Sequence, residues 1–115
     1  MASHPIVHVD IPARDRAATA KFYADLFGWQ TQDHPEMGYT TFAAEGGPGG
    51  GFSTMDEPKV LIYVGTDDID ASLAKAESLG GKTVQPKTEI PGVGWFGSFS
   101  DPAGNIISLY TDRNQ

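Results

Sequence analysis

His8 and Asp10 are the residues of this chain whose types and spacing most directly suggest chemistry. They stand two apart in Ile6-Val7-His8-Val9-Asp10-Ile11, a run rich in β-branched residues that ends at Pro12. Side chains alternate along a strand, so Val7, Val9 and Ile11 share one face and Ile6, His8 and Asp10 the other. An imidazole beside a carboxylate can orient a ligand by hydrogen bonding or move a proton near neutral pH. It can equally be an inert, hydrogen-bonded pair, and both readings stay open. His4 and His34 adjoin prolines in terminal and loop segments, where plain solvent exposure is expected. Aromatic residues on the remaining apolar runs add a second signal. Tyr39, Phe52, Tyr63, Trp95 and Tyr110, with Ser108, are candidate ligand-binding groups alongside His8, because a concave apolar site with a few polar tips suits small molecules. Core packing competes for each ring, most of all for Phe52, Phe96 and Phe99.

The elements that would position these groups come in two copies. Asp15 to Gly28 and Asp68 to Gly81 are both thirteen-residue steps from a helix-capping Asp to a helix-ending Gly (28 − 15 = 13 and 81 − 68 = 13). Tyr39 and Phe42 then match Phe96 and Phe99 at an offset of 57, four more than the offset of 53 between the helices. The extra residues are placed in a loop over Lys87-Thr88-Glu89-Ile90-Pro91-Gly92-Val93. Each copy reads as strand, helix, strand, strand, strand. Ala18, Phe22 and Leu26 are expected to be the buried stripe of the first helix, and Ile69, Leu73, Ala76 and Leu79 that of the second. Asp101-Pro102-Ala103-Gly104-Asn105 is expected to be the turn of a hairpin. A unit that cannot bury its apolar face alone is commonly repeated. The expectation is therefore one domain over residues 1–115, with module one at about 4–56 and module two at about 60–112.

Composition narrows the function classes. The chain has 115 residues, enough for one core, and no Cys, which excludes disulfides and thiolate metal ligands. A net charge of −7 with no Lys/Arg cluster argues against nucleic acid. No apolar run reaches membrane-spanning length and the start lacks a signal-peptide pattern, so a cytoplasmic protein with no membrane partner is expected. The run Gly46-Gly47-Pro48-Gly49-Gly50-Gly51 lacks the Lys and Ser/Thr of a phosphate loop. It is read as a hairpin connection whose mobility could gate a ligand.

His8-Val9-Asp10-Ile11-Pro12, Lys21-Phe22-Tyr23-Ala24-Asp25-Leu26-Phe27-Gly28-Trp29 and Asp101-Pro102-Ala103-Gly104-Asn105-Ile106-Ile107-Ser108-Leu109-Tyr110 together resemble the vicinal oxygen chelate superfamily, which includes glyoxalase I, bleomycin-resistance proteins and extradiol dioxygenases. The resemblance covers nearly the whole chain and is strongest to small proteins related to lactoylglutathione lyase. It implies an α+β fold in which two pseudo-symmetric βαβββ modules form a cupped mixed sheet with helices on the outer face. It also implies metal-ligand positions on the first and last strands of each module, which fall here on His8, Gly51, Tyr63 and Ser108. Only His8 among them is a competent donor, and zinc or iron needs at least three. No metal or other cofactor is therefore expected. The function expected is small-molecule binding or sequestration of an apolar or aromatic compound, as in antibiotic-resistance members of that superfamily. The alternatives are a lyase, isomerase or dioxygenase using His8 with Asp10 or a metal, and a structural or regulatory domain. Relatives pair about a two-fold axis, so a homodimer is expected, with strand residues and the 91–95 loop at its interface.

Overall fold

The computed structural model describes residues 4–54 and 59–113, and its contacts divide the chain into two compact units, Val7–Ile62 and Tyr63–Gln115 with Met1–Ile6. In the first unit, strand β1 (Ile6–Pro12) leads into helix α1 (Arg16–Phe27), β2 (Gln30–His34), a 3-10 turn (Pro35–Met37), β3 (Tyr39–Ala43) and β4 (Gly49–Ser53). The strand order is β2-β3-β4-β1. β1 runs parallel to β4 and the other pairs are antiparallel. The second unit repeats the plan with β5 (Leu61–Gly65), α2 (Ile69–Ser78), β6 (Lys82–Ile90), β7 (Gly94–Ser100) and β8 (Ile106–Asp112), in the order β5-β8-β7-β6. β5 is parallel to β8. Each unit is thus a βαβββ module with a mixed sheet and one helix, the α+β class expected. The last residues assigned to module one, Met55 and Asp56, lie outside the described residues.

Both capping Asp residues and Gly28 act as the sequence implies, whereas α2 ends at the cap Leu79, with Gly80 rather than Gly81 in the left-handed region at φ 102°. Asp15 accepts from Ala18 N and Asp68 from Ala71 N, while Gly28 closes α1 in the left-handed region at φ 76°. The apolar stripe of α1 differs from the expected one. Phe22 and Leu26 are 59% and 57% exposed, whereas Ala20 is buried and Tyr23 packs inward with Trp29, Phe42 and Phe52. Helical spacing alone admits either phase. The phase is decided by Trp29, which stacks at 5.2 Å on Tyr23 and 4.5 Å on Phe42 and so draws the Tyr23 side of the helix onto the sheet. In α2, Ile69 and Leu73 are buried and Ala76 half-buried as expected, but Leu79 is exposed.

Two further expectations change. The four additional residues of the second module do not form a loop over 87–93. They lengthen the strand: β6 has 9 residues where β2 has 5, with bulges between Thr83 and Gln85 and between Gln85 and Thr88. Nor is the glycine run an open gate throughout. Gly49, Gly50 and Gly51 pair with β1, and Gly50 and Gly51 also with β3, which leaves only the turn before them outside the ladder. Gly50 is required there, because a Cβ would stand 1.9 Å from the Val9 carbonyl oxygen.

The hairpin turn between β7 and β8 forms as read. Asp101 accepts from Ala103 N and Asn105 N, each at 2.9 Å, and from the Asn105 side chain. These bonds, the Asn105 side chain foremost, hold its carboxyl below the ordinary Asp range. A carboxyl depressed in the folded state stabilises above its unfolded pKa of about 3.9 and loses that contribution as pH falls through the folded value. Asp101→Ala is therefore expected to lower Tm at pH 7 and to have a smaller effect at pH 2. An equal loss at both pH values would mean that the carboxylate charge has no part in the turn.

Candidate functional site

In the first unit the alternation of β1 sends Val9 and Ile11 to the α1 cluster and leaves His8 and Asp10 on the opposite face. Tyr39, at the start of β3, joins them. His8 Nε2 lies 2.8 Å from Asp10 Oδ1 and 2.7 Å from the Tyr39 hydroxyl, and that hydroxyl donates to Asp10 Oδ1 at 2.5 Å. Three polar atoms in a closed triangle need a definite set of protons. Tyr39 gives its proton to the carboxylate, so the His8–Asp10 contact requires a hydrogen on Nε2. Asp10 is buried and His8 half-exposed, which leaves the imidazole as the part of the group within reach of a ligand.

Glycine makes this arrangement possible. In register, Asp10 is beside Gly51, and Gly51 is beside Thr41. A Cβ at position 51 would lie 2.0 Å from both Cζ and the hydroxyl of Tyr39. The phenol ring therefore crosses β4 through space that any other residue would fill, and reaches β1 by doing so. Ser53 is Tyr39's register partner, and its buried Oγ finds no hydrogen-bond partner among the described residues.

In the second unit Tyr63 pairs with Ser108, and Phe96 with Tyr110. Val64 and Leu109 point to the α2 cluster, so alternation sets Tyr63, Ser108 and Tyr110 on the other face, with Phe96 and Ser98. Burial first, and the neighbouring Asp112 second, raise the Tyr110 hydroxyl above the usual phenol range. Phe96 and Ser98 join that face through the register of β7 on β8, which parity within one strand does not give. Two candidates face elsewhere. Phe52 is fully buried in the α1 cluster, and Trp95 packs against the α2 cluster with Arg113 Cζ 5.0 Å and Lys87 Nζ 5.5 Å from its ring centroid. Of the proposed ligand-binding residues, the structure thus brings His8 and Tyr39 together in one unit and Tyr63, Ser108 and Tyr110 in the other. Phe52 and Trp95 join the helix-facing cores instead.

A glyoxalase-like domain family matches residues 6–110, and the chain belongs to that family, within the vicinal oxygen chelate superfamily. It is 32% identical to the anthracycline biosynthesis protein DnrV of Streptomyces peucetius, a match covering 88% of this chain and 44% of that protein. A glyoxylase-like domain-containing protein of Didymella fabae is 33% identical, with 90% of each covered. The chain spans less than half the length of several curated relatives it matches. Among solved structures, the Mn(II)-bound glyoxalase of Novosphingobium aromaticivorans matches in fold, with a TM-score of 0.73 and 24% identity over 96% of this chain and 39% of that one.

The metal-ligand positions implied by the superfamily resemblance do not make a metal site here. The register sets Asp10 rather than His8 beside position 51, and Tyr63 beside Ser108, so Asp10 and Tyr63 occupy matching places in the two modules. Position 51 offers no donor, and the space for one holds the Tyr39 ring. Among the described residues no three His, Cys, Asp or Glu side chains gather. The set lacks the third strong donor that zinc or iron requires.

Proposed function

We propose that the chain is a small-molecule binding protein of the glyoxalase and bleomycin-resistance type that holds an apolar or aromatic compound without a metal. The observation that carries this reading is the His8–Asp10–Tyr39 triangle, in which a phenol fills the place of a metal ligand and leaves one imidazole presented as the polar anchor. Tyr63, Phe96 and Tyr110 supply aromatic surface on their own unit. DnrV, the Streptomyces relative, is named for the biosynthesis of anthracyclines, which are polycyclic aromatics. Native mass spectrometry and thermal-shift measurements with polycyclic aromatic compounds carrying carbonyl or hydroxyl groups test the proposal. Binding is expected to raise Tm, and His8→Ala to weaken it about 5–20-fold, the worth of one hydrogen bond to a polar anchor. The reading fails if no such compound shifts Tm, or if His8→Ala leaves the affinity unchanged.

The protonated Nε2 beside a phenol also favours a second reading, isomerase or lyase chemistry in which His8 moves a proton at a ligand carbon. Solvent deuterium entering a bound ligand at carbon, and lost in His8→Ala, would establish it. Pairing of two chains is the oligomer we propose. The exposed Phe22 and Leu26 on α1 support it, since apolar side chains of this size on one helix face favour coverage. Sedimentation equilibrium at low micromolar concentration is expected to give twice the 12.3 kDa chain mass, and a monomer mass would refute pairing.

A further inference from the structure

The second unit holds a solvent-open cavity of about 330 Å³ beside α2 on its sheet, lined by Val64, Ala76, Phe99 and Leu109 with the exposed Leu79, Lys75 and His4 at its rim. It lies on the helix-facing side of the sheet, with Val64 and Leu109, and not on the side of Tyr63 and Ser108. The volume is within the range of small-ligand sites. Its origin is visible in the repeat. Ala20 and Leu73 are the matching buried helix residues, Phe42 matches Phe99, and Phe52 matches Leu109. By the same offsets Tyr23 corresponds to Ala76, Phe27 to Gly80 and Trp29 to Lys82.

Of these, Tyr23 and Trp29 fill the corresponding space of the first unit, while Phe27 is 58% exposed. There Tyr23 stacks on Phe52 at 5.5 Å and on Trp29 at 5.2 Å, and Trp29 stacks on Phe42 at 4.5 Å. In the second unit the backbone frame and the Phe99 ring are kept while the two stacked rings are replaced by the methyl group of Ala76 and an exposed Lys82. A space shaped by flat rings, and lacking them, is complementary to a flat ring from outside. Lys75, at the position of Phe22, adds a cationic group to the wall. Asp101 also lines the cavity, but its carboxylate is engaged by Ala103, Asn105 and the turn between them.

We propose that this cavity binds a planar aromatic carboxylate, its ring stacked on Phe99 in the place that Tyr23 and Trp29 take in the first unit and its carboxylate directed to Lys75. The proposal is independent of the His8–Asp10–Tyr39 reading, since the two sites share no residue. The probe is 2-naphthoate, followed by methyl chemical shifts of the full chain. Shifts at Val64, Leu79 and Leu109 are expected to saturate together, with at least fivefold weaker binding for the neutral amide of the probe and for Lys75→Ala. Ala76→Tyr restores the first unit's ring, and is expected to raise Tm and to abolish these shifts while ligands of the His8 site still bind. The proposal is overturned if 2-naphthoate gives no saturable shift at the three methyl groups of the unmodified chain. It is also overturned if a folded Ala76→Tyr variant binds 2-naphthoate there as before. Should that variant not fold, Phe99→Leu replaces it, and unchanged binding would count equally against the stacking.

Discussion

Phe52→Ala is expected to cost about 3–5 kcal/mol, the usual loss for a fully buried Phe. The ring has no exposed surface and lies 5.5 Å from Tyr23 and 5.1 Å from Phe42. Domains of this size are stable by about 5–15 kcal/mol, so the variant should lose about a fifth or more of its stability. Urea denaturation followed by aromatic circular dichroism gives the number, with an unchanged m-value if only stability moves. Phe52→Leu installs the residue that the second unit carries at Leu109, and should cost clearly less, because much of the buried volume remains. A loss below about 1.5 kcal/mol for Phe52→Ala would show that the α1 cluster is not the packing centre of its unit.

Phe52 was a ligand-binding candidate for which core packing was the stronger competing expectation, and its burial shows what a sequence of this kind exposes and hides. Helix caps, the Asp101–Asn105 turn and the repeat itself were legible because each depends on local geometry: a side-chain oxygen three residues from an amide, or a glycine at positive φ. The face of β1 that carries His8 and Asp10 was legible for the same reason, since alternation is local. Tyr63, Ser108 and Tyr110 followed from parity within their own strands. Facing direction across strands was not legible, because it depends on register. Trp95 and Phe96 are adjacent, and only the pairing of Phe96 with Tyr110 decides which of them turns toward α2. The phase of α1 was hidden too, since Trp29, beyond the helix end, determines which stripe is buried. β2 gave no hydrophobic signal because its residues, Gln30 to His34, are polar and mostly exposed. Tyr39 was suspected for its aromatic ring, yet its actual role arises from a missing Cβ on the neighbouring strand. No pattern in the sequence around Tyr39 announces that.

Gly51→Ala is expected to act through Tyr39 rather than through the backbone, and so to connect the fold to the site. Gly51 is not at positive φ, so alanine is compatible with the strand. Its methyl group would nevertheless meet Cζ and the hydroxyl of Tyr39 at 2.0 Å, a separation no pair of carbon and oxygen atoms sustains. The ring must leave, and its hydrogen bonds to His8 and buried Asp10 leave with it. Displacing a packed ring and breaking a bond to a carboxylate should together cost about 2–4 kcal/mol. Ligand affinity should fall about tenfold or more, equivalent to about 1.4 kcal/mol, because His8 loses the neighbour that orients it. A double-mutant cycle isolates the cause. In a Tyr39→Ala background the added methyl group meets no ring, and Gly51→Ala should then cost less than about 1 kcal/mol while leaving affinity where Tyr39→Ala had set it. Equal costs in both backgrounds would mean that the glycine serves the strand alone, and that the phenol reaches Asp10 without needing the space above it.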